Sequence, residues 1–454
     1  MKDAPRVVVA VIDGLPVELL DACWDELEFL RRRTPYRATA VSCFPSTTGP
    51  AYFPLVAGTM PGRANITGIR WFDRTTATRS RFPHRGLRSY VGPDTAKMKT
   101  DTQARTFFEE DAWPASTPVD KGSPKRREKS RDVIWALSHF THRWDQADRR
   151  TAWKLGRALS KGRPIVFAVF PSVDELGHVR GFAGGRPRQA LLEIDRLLED
   201  KLGEFEGEFL VTADHGLTAT ETHLDLRAIV EELVGPTVAF PLIAMPNPAA
   251  VVCESGNAMA NVYVRGDTWS TRPTIEATRA LAQRLLEVDG VDSVAVRGEE
   301  EGVAELYTRA GAGRCGWRNG ALFQEGDAFA RDVAAADPAA FLEQTFEEHN
   351  PDAAFALSSL FASDRAGDLL VSAAESYDLR TRREWPEHYA SHGALHRSHT
   401  VVPVLSSSPL PARPLRTLDV FAETLRRAGL DLARFPGSDA DLLARGTWSP
   451  GVLR

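Results

Sequence analysis

The stretch "RVVVAVIDG" at residues 6–14 is an uninterrupted apolar run that ends at an aspartate, Asp13. A continuous apolar run is typical of a strand buried on both faces of a parallel sheet. Two further runs have the same character, "PIVFAVF" leading towards Asp174 and "EFLVT" leading to Asp214. A fourth run, "VVPVL", covers residues 401–405. The sequence therefore predicts several buried strands that end at polar or acidic residues.

Helical patterns lie between these runs, one near Pro16 and another through "RPRQALLEIDRLLEDKL". Strands that alternate with helices predict an α/β fold, a doubly wound and mostly parallel sheet flanked by helices. In such folds ligands bind outside the carboxyl ends of the strands, where Asp13, Asp174 and Asp214 fall. We therefore expect the functional site at this edge of the sheet.

Two segments interrupt the predicted core and divide the chain into three parts. Residues 1–250 are the first part of the core, and they contain a polar and basic insertion at 75–150 that includes "KGSPKRREKSR". We interpret this insertion as a solvated loop, with a flap that attracts an anionic substrate as the alternative. Residues 251–375 alternate strand-like and helix-like patterns and predict an inserted α+β cap. Residues 376–454 close the core, carry His392 and end in a surface helix.

The bulk composition narrows the class of protein. The 454 residues are 43% hydrophobic and 26% charged, which is ordinary for a globular protein. The formal net charge of -5 provides no overall basic field, so we expect no nucleic-acid partner. We expect no membrane span, because no segment reaches roughly 18 uninterrupted apolar residues. Four scattered cysteines without a CxxC pair favour reduced thiols and a cytoplasmic protein. The oligomeric state is open.

The segment "CFPSTTGPAYFPLVAGTMPG" at residues 43–62 places Thr47 and Thr48 where a helix is predicted to begin. One interpretation is helix capping, because threonine oxygens accept the unpaired N–H groups of a first turn. The other is that one hydroxyl is a nucleophile at the positive end of that helix. The choice depends on the groups that the rest of the chain brings to this point.

Seven side chains, most of them at predicted strand ends, could bind metal. They are three carboxylates, three imidazoles and one hydroxyl: Asp13, Thr48, Asp174, His178, Asp214, His215 and His392. This set is large enough for two divalent ions, and mixed carboxylate and imidazole ligands suit Zn²⁺ best, with Mn²⁺ or Fe as alternatives. Two such ions roughly 4 Å apart can hold the attacking and leaving oxygens of a phosphoryl displacement.

The chain resembles the alkaline phosphatase superfamily, specifically its nucleotide pyrophosphatase/phosphodiesterase branch. The resemblance is carried by "VIDG", "FPSTTGPAYFPLVAGTMPG", "RWFDR", "SVDELGH", "TADHG" and "SHGALHRSHTVVPVL", which together extend from residue 11 to residue 405. It implies an alkaline-phosphatase-like core and a metal-dependent phosphoric ester hydrolase of the phosphodiesterase type. It also implies a small phosphorylated substrate.

The same resemblance implies roles for the seven side chains. It places the nucleophile at Thr48 and leaves Thr47 as a cap or backbone partner. The two implied metal sites consist of Asp13, Thr48, Asp214 and His215 for one ion, and Asp174, His178 and His392 for the other. In the implied reaction Thr48 attacks phosphorus to form a phosphothreonine, which water then hydrolyses.

The stretch "ANITGIRWFDR" departs from the family pattern. Relatives commonly have an asparagine that contacts a phosphate oxygen at the position of Ile69, whose side chain has no donor. The loss of such a donor costs on the order of 3 kcal/mol of transition-state stabilisation. Asn65 and Arg70 are the candidate substitutes in substrate binding, and the guanidinium of an arginine matches phosphate oxygens well.

Several histidines leave the ligand assignment open. His396 and His399 lie close enough in sequence to His392 that either could replace it, and His223 is interpreted as solvated or as a support for a ligand. The remaining histidines are interpreted as structural or surface residues: His84, His139, His142, His349 and His388.

Three other functions compete with a phosphodiesterase. A sulfatase is disfavoured because Thr47 occupies the position where its cysteine-based motif needs an arginine. A phosphomonoesterase or phosphomutase of the same superfamily shares the metal-ligand set and differs in the groups that balance a third phosphate oxygen. A non-catalytic binding protein on this fold is suggested by Ile69, although every expected ligand and the nucleophile are present.

Overall fold

The structure is a computed structural model that describes residues 7–77, 86–110, 112–119, 121–123, 133–240, 245–380 and 387–453. Most of the basic stretch at 121–131 lies outside these ranges, as does His84, so a flap formed by that stretch concerns residues outside the described part. The described residues of the insertion at 75–150 are not the solvated loop that we expected, because Phe107, Phe108 and Trp113 among them are buried in the hydrophobic core. Among the helices in these ranges, none has the length and apolar character that crossing a membrane requires.

The strands of the described chain are short to medium in length. In chain order they are β1 Val7–Ile12, β2 Tyr36–Val41, β3 Arg70–Phe72, β4 Leu87–Ser89, β5 Trp113–Ala115, β6 Ile165–Phe170, β7 Glu208–Thr212, β8 Thr218–His223, β9 Thr237–Ala239, β10 Ala250–Ser255, β11 Met259–Val264, β12 Val291–Arg297, β13 Val303–Thr308, β14 Gly311–Arg318, β15 Ala321–Gly326, β16 Val333–Ala335, β17 Leu369–Ala373, β18 Ser376–Asp378, β19 Ala390–Ser391, β20 Val401–Ser406 and β21 Leu415–Arg416.

The α-helices alternate with these strands through most of the chain. In chain order they are α1 Val17–Cys23, α2 Glu28–Arg33, α3 Tyr52–Ala57, α4 Arg74–Ala77, α5 Met98–Asp101, α6 Val133–Thr141, α7 Trp144–Leu159, α8 Ser172–Arg180, α9 Arg186–Leu202, α10 Leu226–Val234, α11 Ile275–Leu286, α12 Pro338–Thr345, α13 Ala353–Phe361, α14 Arg397–Thr400, α15 Thr417–Ala428 and α16 Asp439–Ala444.

The first sheet contains seven strands in the order β21-β2-β20-β7-β1-β6-β5. Strand β1 pairs in parallel with both β6 and β7, and every residue of β1 and β6 is buried. Strand β20 pairs antiparallel with β7 and β2, so the sheet has a parallel centre and a mixed side. Helix α7 packs on β6 and α15 packs on β1. The predicted α/β class, a mostly parallel sheet flanked by helices, is confirmed.

The second sheet contains nine strands in the order β16-β15-β14-β13-β12-β17-β11-β10-β9. Its neighbouring strands are antiparallel except for β9 and β10. The sheet draws on residues from Thr237 to Ala373, so its first strand precedes residue 251. The division of the chain into 1–250, 251–375 and 376–454 stays a prediction.

The hairpin that joins β10 and β11 connects the second sheet to the edge of the first. Its tip contains Gly256 and Asn257, both with positive φ, of 65° and 66°. The His392 backbone N–H donates to the Gly256 carbonyl at 2.9 Å, and the Ala258 N–H donates to the His392 carbonyl at 3.0 Å. The second sheet therefore holds the backbone around His392.

The helix that follows the threonine pair begins later than the sequence predicts. Helix α3 starts at Tyr52, and its N-cap residue is Ala51. The Thr47 carbonyl accepts a bond from the Ala51 N–H at 3.0 Å, but no described residue bonds the buried Thr47 hydroxyl. The Thr47 side chain does not cap this helix, because four turn residues separate Thr47 from it. Thr47 takes part through its backbone carbonyl, which is the other role predicted for it. Thr48 likewise precedes the helix and does not lie in its first turn.

Candidate metal and catalytic site

Three aspartates meet at the carboxyl ends of the parallel strands. Asp13 directly follows β1, Asp214 lies two residues beyond β7, and Asp174 is in the first turn of α8, which follows β6. Their exposed fractions are 3%, 0% and 5%. Gly14 permits this approach, since a Cβ at its position would lie 2.6 Å from Oδ1 of Asp174. The Gly14 N–H also donates to Oδ1 of Asp214 at 3.2 Å.

The first ligand group consists of Asp13, Asp214 and His215. Nε2 of His215 lies 3.6 Å from Oδ1 of Asp13 and 3.2 Å from Oδ2 of Asp214. The Thr48 hydroxyl lies 3.2 Å from Oδ1 of Asp13 and 3.0 Å from Nε2 of His215. The Thr48 oxygen and these three side chains therefore surround one small volume.

The second ligand group lies directly beside the first. Nε2 of His178 is 3.4 Å from Oδ2 of Asp174, and Nε2 of His392 is 3.8 Å from Oδ1 of Asp174. The rings of His215 and His392 stack with centroids 3.7 Å apart. Asp174, His215 and His392 each offer a ligand atom within 4.8 Å of the others, so His215 borders both groups.

Each of the three predicted histidine ligands has its Nδ1 atom next to a backbone carbonyl. The distances are 2.7 Å from His178 to Ala390 O, 3.0 Å from His215 to Gly216 O and 3.0 Å from His392 to Ser46 O. A carbonyl oxygen only accepts, so Nδ1 carries the proton and donates. Nε2 is then the atom that faces the carboxylates, and it presents the lone pair that a metal ligand requires once it carries no proton. The charge of Asp174 raises the pKa of His178 to about 9 despite burial, so a cation there would have to displace the Nε2 proton.

Burial and the charges of neighbouring groups shift the pKa values of the three aspartates. Burial, together with the charge of Asp174, raises the pKa of Asp214 to about 7. Burial and the charge of Asp214 raise the pKa of Asp13 well above its ordinary value. Burial would also raise the pKa of Asp174, but the charges of His178, His392 and His215 and a hydrogen bond with His178 together lower it. A cation among these groups would favour their ionised forms.

The donor set fits divalent cations. Oδ1 of Asp174 and Oδ2 of Asp214 are buried, and no described residue donates a hydrogen bond to either oxygen. Buried carboxylate oxygens are normally satisfied by donors or by a metal ion. The acidic and histidine groups at this edge are therefore positioned to bind metal.

A cavity of about 320 Å³ opens next to both groups. Thr48, Asp13, Asp174, His178 and His392 contribute to its wall. The first sheet thus supplies one side of the cavity, while Glu254, Gly256 and Asn257 from the β10–β11 hairpin supply another.

The structure separates the two candidate substrate-binding residues. Arg70 lines the cavity beside Ile69, with its Nη1 atom 3.9 Å from Oε2 of Glu254. Asn65 does not belong to the cavity wall. Its side-chain oxygen accepts a bond from the Ser363 hydroxyl at 2.7 Å, in a turn where Asn65 has a φ of 60°. The geometry gives no support to the prediction for Asn65, because this bond holds its amide elsewhere.

Two of the alternative histidines, His399 and His223, have other partners. Nδ1 of His399 accepts a bond from the Ala394 N–H at 3.2 Å, and its Nε2 lies 2.8 Å from the Thr218 hydroxyl. His223 pairs with Asp378 at 2.9 Å. Neither of these histidines, nor His396, is among the residues that line the cavity.

Sequence reasoning missed three residues at this site. The Tyr52 hydroxyl donates to Oδ2 of Asp13 at 3.0 Å. His388, interpreted above as structural or surface, lines the cavity, and Nδ2 of Asn257 lies 2.8 Å from its Nδ1 atom. Tyr52 could have been found from its place four residues after Thr48, whereas the contact between Asn257 and His388 has no local sequence signal.

Several solved structures share this fold. Phosphonoacetate hydrolase from Sinorhizobium meliloti, in complex with phosphonoformate, is similar with a TM-score of 0.58 and 18% identity, over 93% of this chain and 96% of that chain. Human ectonucleotide pyrophosphatase/phosphodiesterase 5 is similar with a TM-score of 0.59 and 11% identity, over 97% and 99%. The murine protein, as an inactive variant in complex with AMP, also has a TM-score of 0.59 and 11% identity, over 94% and 96%. No curated protein matches the sequence.

The sheet, the carboxylates at its strand ends and the neighbouring histidines define a phosphoester hydrolase of the alkaline phosphatase superfamily. The family model of type I phosphodiesterase / nucleotide pyrophosphatase matches residues 7–396. The chain belongs to this family. The resemblance that the sequence motifs indicated is confirmed, as is the expectation of an enzyme that hydrolyses phosphoric esters.

Proposed function

We propose that this protein is a two-metal phosphodiesterase of the nucleotide pyrophosphatase type, with Thr48 as its nucleophile. One observation carries the proposal: the Thr48 oxygen lies in the cavity wall, 3.2 Å from Oδ1 of Asp13 and 3.0 Å from Nε2 of His215. Both neighbouring atoms belong to groups that suit a cation, so the hydroxyl can be activated where a substrate would bind.

The ligands divide into two sets in this proposal. Asp13, Thr48, Asp214 and His215 hold one divalent ion, and Asp174, His178 and His392 hold the other. The mixture of carboxylate oxygens and imidazole nitrogens suits Zn²⁺ best, with Mn²⁺ or Fe as alternatives. When bound, such ions supply Lewis acidity to the reacting phosphoryl oxygens.

The side chains of the protein then carry out the displacement at phosphorus. The Thr48 hydroxyl points its proton at Oδ1 of Asp13, which receives it as the oxygen attacks phosphorus. The new bond joins Thr48 to phosphorus, the bond from phosphorus to the ester oxygen breaks, and the leaving oxygen takes a proton from water as an alcohol or a phosphate departs. Water then attacks the phosphothreonine, and Asp13 returns its proton to the Thr48 oxygen as that bond breaks. Arg70 lies in the same wall and is a candidate contact for a phosphate oxygen.

The charged side chains that line the cavity beyond the proposed metal ligands favour a diester over a monoester. Among the described residues that line it, Arg70 is the only lysine or arginine, and Glu254 already lies 3.9 Å from its guanidinium. Glu175 adds a further carboxylate to the wall. A diester carries one negative charge at neutral pH and a monoester close to two, so this wall opposes the monoester more strongly. The proposed substrate is therefore a small phosphodiester or nucleotide pyrophosphate.

The test compares bis-p-nitrophenyl phosphate with p-nitrophenyl phosphate on purified protein of measured metal content. We expect faster turnover of the diester, loss of activity on chelation, recovery with Zn²⁺ or Mn²⁺, and two ions per chain. Thr48→Ala should abolish turnover. Thr47→Val is the matched control, because the Thr47 hydroxyl is buried and no described residue bonds it. Faster monoester turnover would indicate a phosphomonoesterase, and the absence of both metal and turnover would indicate a binding protein.

We also propose a cytoplasmic location. Cys23, Cys43, Cys253 and Cys315 are all free and buried, which suits a reducing compartment. A thiol titration of freshly prepared, denatured protein should find four reactive thiols, and fewer would contradict this proposal.

A further inference from the structure

Four histidines surround the metal-binding edge, and one of them has a different partner at Nδ1. His178, His215 and His392 place Nδ1 against a carbonyl oxygen. His388 instead places Nδ1 2.8 Å from the amide nitrogen Nδ2 of Asn257. An amide nitrogen only donates, so Nδ1 of His388 accepts and its ring proton resides on Nε2. His388 is therefore the opposite tautomer of the three predicted ligands.

The position of His388 makes this proton available to a bound molecule. Its half-buried side chain lines the same cavity as Thr48 and Asp174, and its ring centroid is 4.7 Å from that of His178. No hydrogen-bond partner for its Nε2 atom occurs among the residues that the structure describes. A protonated Nε2 has no lone pair for a cation, so His388 is not a further metal ligand in this form.

We propose that His388 donates a hydrogen bond from Nε2–H to a phosphoryl oxygen of the substrate, and that Asn257 is the positioning residue that maintains this tautomer. This inference rests on the proposed function, because it takes a phosphoester to be the molecule that enters the cavity. His388 then stabilises the negative oxygen on the side of the cavity next to His178.

The surroundings of Asn257 explain how it can act in this way. Asn257 is buried at the tip of the β10–β11 hairpin, and its carbonyl accepts a bond from the Leu379 N–H at 2.7 Å. It also pairs through its backbone with His392. Its amide is thus held by the same hairpin that holds the His392 segment. A fixed donor aimed at an oxygen that gains negative charge lowers the barrier without having to reorganise.

Two substitutions of His388 distinguish a role as hydrogen-bond donor from a role in filling space only. In His388→Gln the side-chain amide can reach the position of Nε2 and donate there, whereas in His388→Asn it reaches only the position of Nδ1. We expect kcat/KM for bis-p-nitrophenyl phosphate to fall about 10- to 100-fold in His388→Asn. His388→Gln should retain most of the wild-type value, and metal content should stay unchanged in both variants.

Asn257→Asp tests the positioning role without a change in shape. A carboxylate at this point only accepts, so in the neutral form of the ring it would move the proton of His388 to Nδ1 and leave Nε2 without a donor. The comparison is therefore made at alkaline pH, where the ring is neutral in both proteins. The ¹⁵N chemical shifts of the His388 ring report this directly, and they can be measured on protein without substrate. We expect an Nε2-protonated ring in the wild type, an Nδ1-protonated ring in Asn257→Asp, and a fall in kcat/KM like that of His388→Asn.

The outcomes distinguish this inference from the proposed function. An Nδ1-protonated His388 in the wild type, or full activity in His388→Asn with unchanged metal content, would overturn the inference while diester turnover and its dependence on Thr48 stand. Absence of diester turnover in the wild type would overturn the proposed function. In that case binding of inorganic phosphate to the metal-loaded protein, compared between wild type and His388→Asn, still tests the donor, and equal affinity would overturn it.

Discussion

The Tyr52 hydroxyl donates to Oδ2 of Asp13 at 3.0 Å, which leaves Oδ1 of the same carboxylate facing the Thr48 hydroxyl at 3.2 Å. Tyr52 begins helix α3 and is fully buried, with its ring edge-on to Phe167. The helix therefore fixes which oxygen of Asp13 turns towards the reacting group.

Tyr52→Phe should keep the fold and weaken the metal site. The ring still fills its place, but Asp13 loses the donor that orients it, and loss of such a support lowers metal affinity about 10- to 100-fold. Titration with a competing chelator measures this change. Tyr263→Phe is the matched control, because it removes another buried hydroxyl, which bonds the Arg365 carbonyl at 2.6 Å, away from the metal-binding edge. Equal metal affinity in the two variants would contradict the role of Tyr52.

Gly14→Ala should eliminate metal binding and turnover while most of the fold persists. Gly14 has a φ of 65°, and an added Cβ would lie 2.6 Å from Oδ1 of Asp174 and 2.7 Å from its Cβ. The clash pushes Asp174 away from the second ligand group. Gly185→Ala controls for backbone strain, because Gly185 has a φ of 64° but no atom within 4 Å of the added Cβ. Metal content and diester turnover provide the measurement, and we expect both to stay normal in Gly185→Ala.

Asp148 should make the stability of the protein fall as pH rises. Burial raises the pKa of Asp148 to about 8, although the Ser172 hydroxyl donates to it. Between its ordinary value of 3.8 and about 8, the folded chain keeps this proton and the unfolded chain releases it. The free energy of unfolding therefore decreases across this window, by at most about 1.4 kcal/mol per pH unit, and levels off above it.

Asp148→Asn removes this titration. Chelator-treated wild type and variant, unfolded in urea at pH 5, 7 and 9, should differ least at pH 5, because this pH lies near the lower end of the window. The variant should be the more stable at pH 9. A difference that does not grow with pH would show that Asp148 is ionised in the folded protein.

Removing the carboxylate from the buried ion pair between Asp352 and Arg416 should destabilise the protein far more than removing one from an exposed pair. The two contacts of this buried pair are 2.6 and 2.8 Å long, and both side chains are buried. Asp352→Asn leaves the arginine charge buried without its partner, which costs about 3 kcal/mol. Asparagine also tolerates the φ of 58° at this position, so the change isolates the charge. Denaturant unfolding measures the effect.

The control for that measurement is Asp25→Ala. Asp25 pairs with Arg31 at 3.5 Å, and the two side chains are 96% and 50% exposed. Exposed pairs contribute about 1 kcal/mol or less. A loss of similar size in the two variants would contradict the importance of burial at Asp352.

Local patterns predicted a large part of the core. The apolar runs before Asp13 and Asp214 form β1 and β7, and "RPRQALLEIDRLLEDKL" forms α9 without a missing or added residue. These elements follow from hydrophobic periodicity, which depends on nearby residues only. The start of α3 was misplaced, because a turn that runs through Thr48 to Ala51 precedes it and its geometry depends on distant partners.

The sequence by itself determined four strands of the first sheet, β1, β6, β7 and β20, and the kinds of ligand atom that the site can offer, because each of these depends on a few adjacent residues. Only the tertiary structure decided that His215 borders both ligand groups, that Asn65 lies outside the cavity, and that Asn257 meets His388. These relationships join residues far apart in the chain, and the packing of the two sheets sets the distances between them.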